Sequence, residues 1–263
     1  MSPSFPSLDL KQVEFRVLPM RTRFPFKYGI ASLTALPHLV LKVETEIDGV
    51  LAEGIASEGL PPKWFTKNPE TTFEQDLPAM LEVIGHAAEL ALSAPPSSFF
   101  ELWFKIHDAQ SAWASETGHP SLLANLGVSL IERALLDALC RHLGCTIHTI
   151  LRQNQLGLRL GDIRPELAGA EPSACLPSRP LSSVRARHTV GLGDPLTPAD
   201  VNDENRAEDN LPLDLESCIR AYGLTHFKIK VCGNLEIDLP RLEALAGLLG
   251  SEALFTLDGN EQY

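Results

Sequence analysis

Apolar and polar residues alternate through residues 13–18 and again through residues 36–46, "LPHLVLKVETE". A period of two marks a strand with one buried face. Asp48-Gly49 then makes a turn, and "VLAEGIAS" at 50–57 resumes as a third strand, giving a small antiparallel meander. Across 71–92 and 96–114 the period lengthens to that of a helix, with Ser97 and Ser98 as caps ahead of "FFELWFKIHDA". In a third helix, "HPSLLANLGVSLIERALLDALCRHLG", Leu123, Leu126, Ile131, Leu135 and Leu139 lie on or near one face, and Gly144 ends it. A sheet followed by helices predicts an α+β domain over residues 1–150.

Residues 151–185 show no strong period, and "GAEPSACLPSRPLSS" reads as linker or surface insertion. Beyond it the chain alternates: strand "RARHTVGL", helix "PLDLESCIRAYGL", strand "THFKIKV", helix "LEIDLPRLEALAGLLG", strand "ALFTLDGN". That order predicts a parallel α/β sheet or barrel over residues 186–263.

Composition narrows the function. With 263 residues, a net charge of −12 and a pI near 5.1, the chain lacks the basic footprint of a nucleic-acid binder. Its five cysteines form no CxxC pair and no zinc spacing, so reduced thiols are expected. A basic segment leading into an apolar one is missing at the N-terminus, and no apolar run has the length of a membrane span. Cytoplasm is the expected compartment.

The candidate chemistry lies on the last two strands. Alternation puts Phe227, Ile229 and Val231 on one face and His226, Lys228 and Lys230 on the other. The next strand carries Leu254, Thr256, Asp258 and Asn260 on one side, with the polar groups gathered at its C-terminal end. In α/β barrels those ends face the active site. An amine beside a second cation in a desolvated site is disfavoured as its ammonium form, which suits a base, and a carboxylate on the adjoining strand tip suits a hard divalent ion.

KxK at one barrel strand end, followed 28 positions later by DxN at the next, resembles the enolase superfamily, in particular its mandelate racemase and muconate lactonizing enzyme branch. The N-terminal meander and "VSLIERALLDALCRHLGCTIHTIL" are similar to that branch's capping domain and its closing helix. The resemblance implies an α+β cap followed by a modified TIM-type (β/α) barrel, and Mg²⁺-assisted removal of the proton α to the carboxylate of a small-molecule substrate. It further implies that Lys230 is the base, that Lys228 keeps it poised and contacts the substrate carboxylate, and that Asp258 is a metal ligand with Asn260 as polar support. By the same resemblance "FPFKYG", with Phe24, Lys27 and Tyr28, and "EGLPPKW", with Lys63 and Trp64, close over the substrate. A whole barrel takes roughly 250 residues. About three strands' worth follow the linker, so an N-terminal fragment, inactive alone, is expected.

Plainer readings stand beside these. The two lysines also suit an exposed edge strand, and Asp258-Gly259 a simple turn. Glu132 and Asp137 fit ion pairs with Arg133 and Arg141. Two other functions remain open: a Schiff-base lysine in an aldolase-like barrel, and a non-catalytic module whose cap mediates assembly as a homo-oligomer.

Overall fold

The computed structural model describes residues 5–28, 31–202 and 209–259. Five strands open the chain: β1 (Ser7–Leu18), β2 (Arg21–Tyr28), β3 (Ala31–Ala35), β4 (His38–Ile47) and β5 (Val50–Gly59). They divide between two compact units. One comprises Met1–Pro19 and Pro37–Pro180, the other Met20–Leu36 and Leu181–Tyr263.

In the first unit β5, β4, β1 and the two-residue β6 (Ser97–Ser98) form an antiparallel sheet in that order. Alternation in β4 is strict: Leu39, Leu41, Val43, Thr45 and Ile47 are buried, and their neighbours are not. Strand β1 begins ahead of the predicted segment at residue 13. A register shift between Leu10 and Gln12 breaks its period and hides the early half from a pattern search. Three helices cover the buried face: α1 (Phe73–Ser93), α2 (Phe99–Thr117) and α3 (Ser121–Leu143). Thr72 and Gln75 close a capping box on α1, and the Ser98 hydroxyl accepts from Glu101 N. Helix α3 ends on Gly144 in the left-handed region, φ 61°. Two glycines set the layer spacing. A Cβ at Gly54 would lie 1.9 Å from Ala134 O of α3, and one at Gly127 would lie 2.2 Å from Val83 O of α1.

The aperiodic segment after α3 is ordered by side-chain bonds to the backbone. It holds α4 (Ile147–Arg152), α5 (Leu160–Ile163) and α6 (Pro172–Cys175), and through Pro180 it belongs to the first unit. Asn154, at φ 49°, bonds both Leu158 N and Leu158 O, and Arg152 donates to Leu176 O and Pro177 O.

In the second unit β7 (His188–Val190), β8 (His226–Lys230) and β9 (Leu254–Asp258) form a parallel sheet in the order β7-β8-β9. Helices α7 (Leu215–Tyr222) and α8 (Leu235–Leu249) connect them, and Val190, Leu215, Phe227, Ile229 and Leu245 form the core. Strand β9 keeps Leu254, Phe255 and Leu257 more than half exposed. Strands β2 and β3 pair antiparallel and belong to this unit, although the first unit's chain flanks them on both sides; β2 contains Phe24–Tyr28 of the "FPFKYG" segment that the resemblance assigns to the substrate.

Candidate active site at the strand ends

The register of the parallel sheet assembles the site. Lys228 pairs with Thr189 on one side and Thr256 on the other, and Lys230 pairs with Asp258. A period of two leaves Lys228 and Lys230 on the face opposite Phe227 and Ile229, and both ammonium groups reach one carboxylate oxygen. Lys230 Nζ donates to Asp258 Oδ2 at 2.7 Å, while Lys228 Nζ lies 3.5 Å from that oxygen. The Lys230 side chain is 1% exposed, against 26% for Lys228 and 29% for Asp258. Lys230 is therefore the enclosed amine and Lys228 the one nearer solvent.

Several groups that sequence reasoning missed hold these strand ends. The Asp238 carboxylate, in the first turn of α8, accepts from Cys232 N and Gly233 N at 2.9–3.1 Å, fixing the loop that leaves β8. Val231 N donates to Asp258 O at 3.1 Å and extends the strand pairing by one residue. Arg241 donates to Gly191 O and Asp194 O, fastening α8 to the loop after β7. Arg187 donates to Thr256 Oγ1 at 3.1 Å and adds a third cation to the polar face. Of these, the acid early in α8 was open to detection, since helix starts attract carboxylates.

The hairpin residues are placed less directly. Lys27 is exposed on β2, and its carbonyl accepts from Leu192 N. Phe24 and Tyr28 also lie on β2. Asn260 lies outside the described residues. Lys63 and Trp64 sit in a single 3₁₀ turn of the first unit. The Lys63 ammonium is enclosed there by Asp76 Oδ2 at 2.7 Å, Thr71 O at 2.6 Å, Thr71 Oγ1 at 2.9 Å and Asn68 O at 2.8 Å. It clips the loop ahead of α1.

Beside β7 a cavity of about 310 Å³ is lined by Arg23, Phe26, His188, Asp194, Cys218 and Tyr222 among others. Neither lysine of the strand-end pair lines it. Burial lowers the pKa of His188, against a smaller opposing pull from Asp194. Burial raises that of Asp194 against its bond from Gly191 N and the charges of Arg241 and His188.

The resemblance implies Mg²⁺ at these strand ends. A hard divalent ion takes about six oxygen ligands. Among the described residues no group of three or more His, Cys, Asp or Glu side chains could hold a metal, and Asp258 is engaged by two ammonium groups. This set does not fit the ion by itself.

No family model matches the chain, and no curated protein matches it. Solved structures do match. An enolase from alpha proteobacterium bal199 with bound Mg superposes with a TM-score of 0.59 at 18% identity, over 97% of this chain and 56% of that one. A muconate lactonizing enzyme from Mycobacterium smegmatis complexed with muconolactone gives 0.58 at 18%, over 97% and 53%. The fold is that of the mandelate racemase/muconate lactonizing enzyme structures. A dipeptide epimerase from Methylococcus capsulatus complexed with Mg and the dipeptide L-Arg-D-Lys gives 0.55 at 20%, over 97% and 55%. The chain thus spans little more than half the length of the structures it matches. Among the described residues no helix is long and apolar enough to cross a membrane.

Proposed function

We propose that this chain contributes the lysine-bearing part of a site that removes the proton α to a carboxylate, in an enzyme of racemase, epimerase, cycloisomerase or dehydratase type. The barrel of that enzyme would be longer than the three strands described. One observation carries the reading: Lys228 and Lys230 converge on a single oxygen of Asp258 at adjoining strand ends. The matched structures' greater length and the exposed apolar residues of β9 support the longer barrel.

Lys230 is the base in this reading because it is the enclosed amine, and exclusion of water favours the neutral amine form that a general base needs. Its ammonium is held by Asp258 in the arrangement described, so productive binding must draw the carboxylate away and leave the amine neutral. Lys228 is the more exposed cation and meets the substrate carboxylate. The hairpin residues Phe24, Lys27 and Tyr28 are proposed to face the substrate, with Asn260 as polar support. Asp258 is proposed as one ligand of Mg²⁺ in the intact enzyme. The ion needs further oxygens, so no step here runs through it.

The test is exchange of the α proton of a panel of carboxylates in deuterated buffer, measured on protein that carries the whole barrel. Lys230→Ala should slow exchange by about 10²–10⁴-fold, the ordinary contribution of a general base. Indifference to both Lys230→Ala and Asp258→Asn sinks the proposal, and so does borohydride trapping of a carbonyl substrate on Lys230, which indicates a Schiff base instead.

A further inference from the structure

At the C-terminus of α3 two cysteines are joined by one backbone bond. Gly144 N donates to Arg141 O and Cys145 N donates to Cys140 O at 3.1 Å, with Gly144 left-handed between them. This is a Schellman motif, the helix ending in which the two side chains five positions apart at the ends of that bond frequently touch. Here those side chains are Cys140 and Cys145. Both are partly buried, pack against the first unit's core and keep some exposure to solvent. Burial pushes the Cys140 thiol up, and the neighbouring Cys145 and then Asp137 push it further in the same direction. The remaining cysteines lie in other elements: Cys175 in α6, Cys218 in α7 and Cys232 in the loop after β8.

We propose that Cys140 and Cys145 form a dithiol modification site, closed to an intramolecular disulfide by a peroxide across the last turn of α3. The chemistry balances in two steps. One thiol sulfur attacks the peroxide, the O–O bond breaks, and a sulfenic acid and one water form. The second thiol then displaces hydroxide from that sulfur, the S–S bond forms, and a second water leaves with the remaining proton. Each sulfur gives up one electron and the peroxide takes both. A disulfide needs α-carbons about 4.4–6.8 Å apart, and the 3.1 Å bond from Cys145 N to Cys140 O draws the two residues together across the turn. The bridge would fasten the helix end to the segment entering α4. This site is in the first unit and is independent of the function proposed for the strand ends.

Trypsin makes the test direct, because Arg141 stands between the two cysteines. The folded 263-residue chain is treated with hydrogen peroxide, its remaining thiols are blocked, and the non-reduced digest is examined by mass spectrometry. The expected result is a linked pair of peptides, 134–141 and 142–152, lighter by two hydrogens than their sum and separated by reductant. Cys140→Ser and Cys145→Ser should each abolish the pair, while Cys175→Ser leaves it intact. Both thiols recovered unoxidised, both recovered as separate sulfinic acids, or links only to Cys175, Cys218 or Cys232 would each overturn the proposal.

Discussion

The Arg23 guanidinium grips the Asp209 carboxylate through two bonds, Nε to Oδ2 at 2.6 Å and Nη2 to Oδ1 at 2.7 Å, across 186 positions of sequence. The same side chain donates to Pro212 O and Leu211 O, so a strand of the β2–β3 hairpin is tied to the segment that enters α7. The contact depresses the pKa of Asp209, first through the Arg23 bond and then through Leu211 N. A bidentate fork of this kind is specific to guanidinium. Arg23→Lys keeps the charge and loses the fork, so amide exchange across residues 21–35 should quicken by about twofold to fivefold, the scale of an exposed ion pair. Exchange across β8 should not change. Equal protection of the hairpin in both proteins would show that other contacts hold it.

The resemblance puts Lys63 at the substrate, and its surroundings add a phenotype in stability. The Lys63 side chain is 14% exposed and its Asp76 partner 7%, and removing one member of such a pair strands the other charge. Lys63→Met should therefore cost about 3 kcal/mol of stability, read from denaturant unfolding. The double change Lys63→Met with Asp76→Leu should recover most of the loss, because no unpaired buried charge remains. A single variant as stable as the parent would leave Lys63 available for substrate.

Acid stability should depend on His188. Burial lowers its pKa in the folded protein from the ordinary 6.5, so the unfolded chain binds the proton first as pH falls. The contribution of His188 is thus fully present above pH 6.5 and is lost as pH falls from there through the folded value. Asp194 acts with the opposite sign. Its pKa is raised from 3.8, so its contribution is lost as pH rises from 3.8 through its folded value. His188→Gln should flatten the fall in melting temperature just below pH 6.5 and leave it unchanged above. An unaltered slope there would assign the acid sensitivity to other groups.

The sequence revealed those parts of the fold and site in which one short period persists. Strict alternation exposed β4 and the same-face placement of Lys228 and Lys230, and the spacing from Lys230 to Asp258 put carboxylate and amines on neighbouring strand ends. What it hid depends on partners far away in the chain. The bulge in β1 breaks the period, and in the hairpin Pro25 and a register shift between Arg21 and Phe26 disguise paired strands as a loop. The enclosure of Lys63 and the bond from Arg187 to Thr256 arise from tertiary contacts that no local pattern encodes. Asn154 and Arg152 order the segment after α3 through side chains rather than periodicity, so it read as a linker.

Two glycines with the same local chemistry should respond oppositely to alanine. At Gly54 in β5 an added Cβ meets Ala134 O at 1.9 Å and Ala138 N at 2.6 Å, both backbone atoms of α3 that no side-chain rotation can move. Strand and helix would have to separate, so Gly54→Ala should cost about 3 kcal/mol, the upper end of ordinary overpacking. At Gly85 inside α1 an added Cβ has no atom within 4 Å, and the backbone is helical. There alanine restricts only the unfolded chain, and Gly85→Ala should gain about 0.5–1 kcal/mol. Denaturant midpoints for the two variants, measured beside the parent, check both signs at once. A tolerated Gly54→Ala would mean that β5 and α3 are not packed at the distance described, and the first unit's layer spacing would have to be revised.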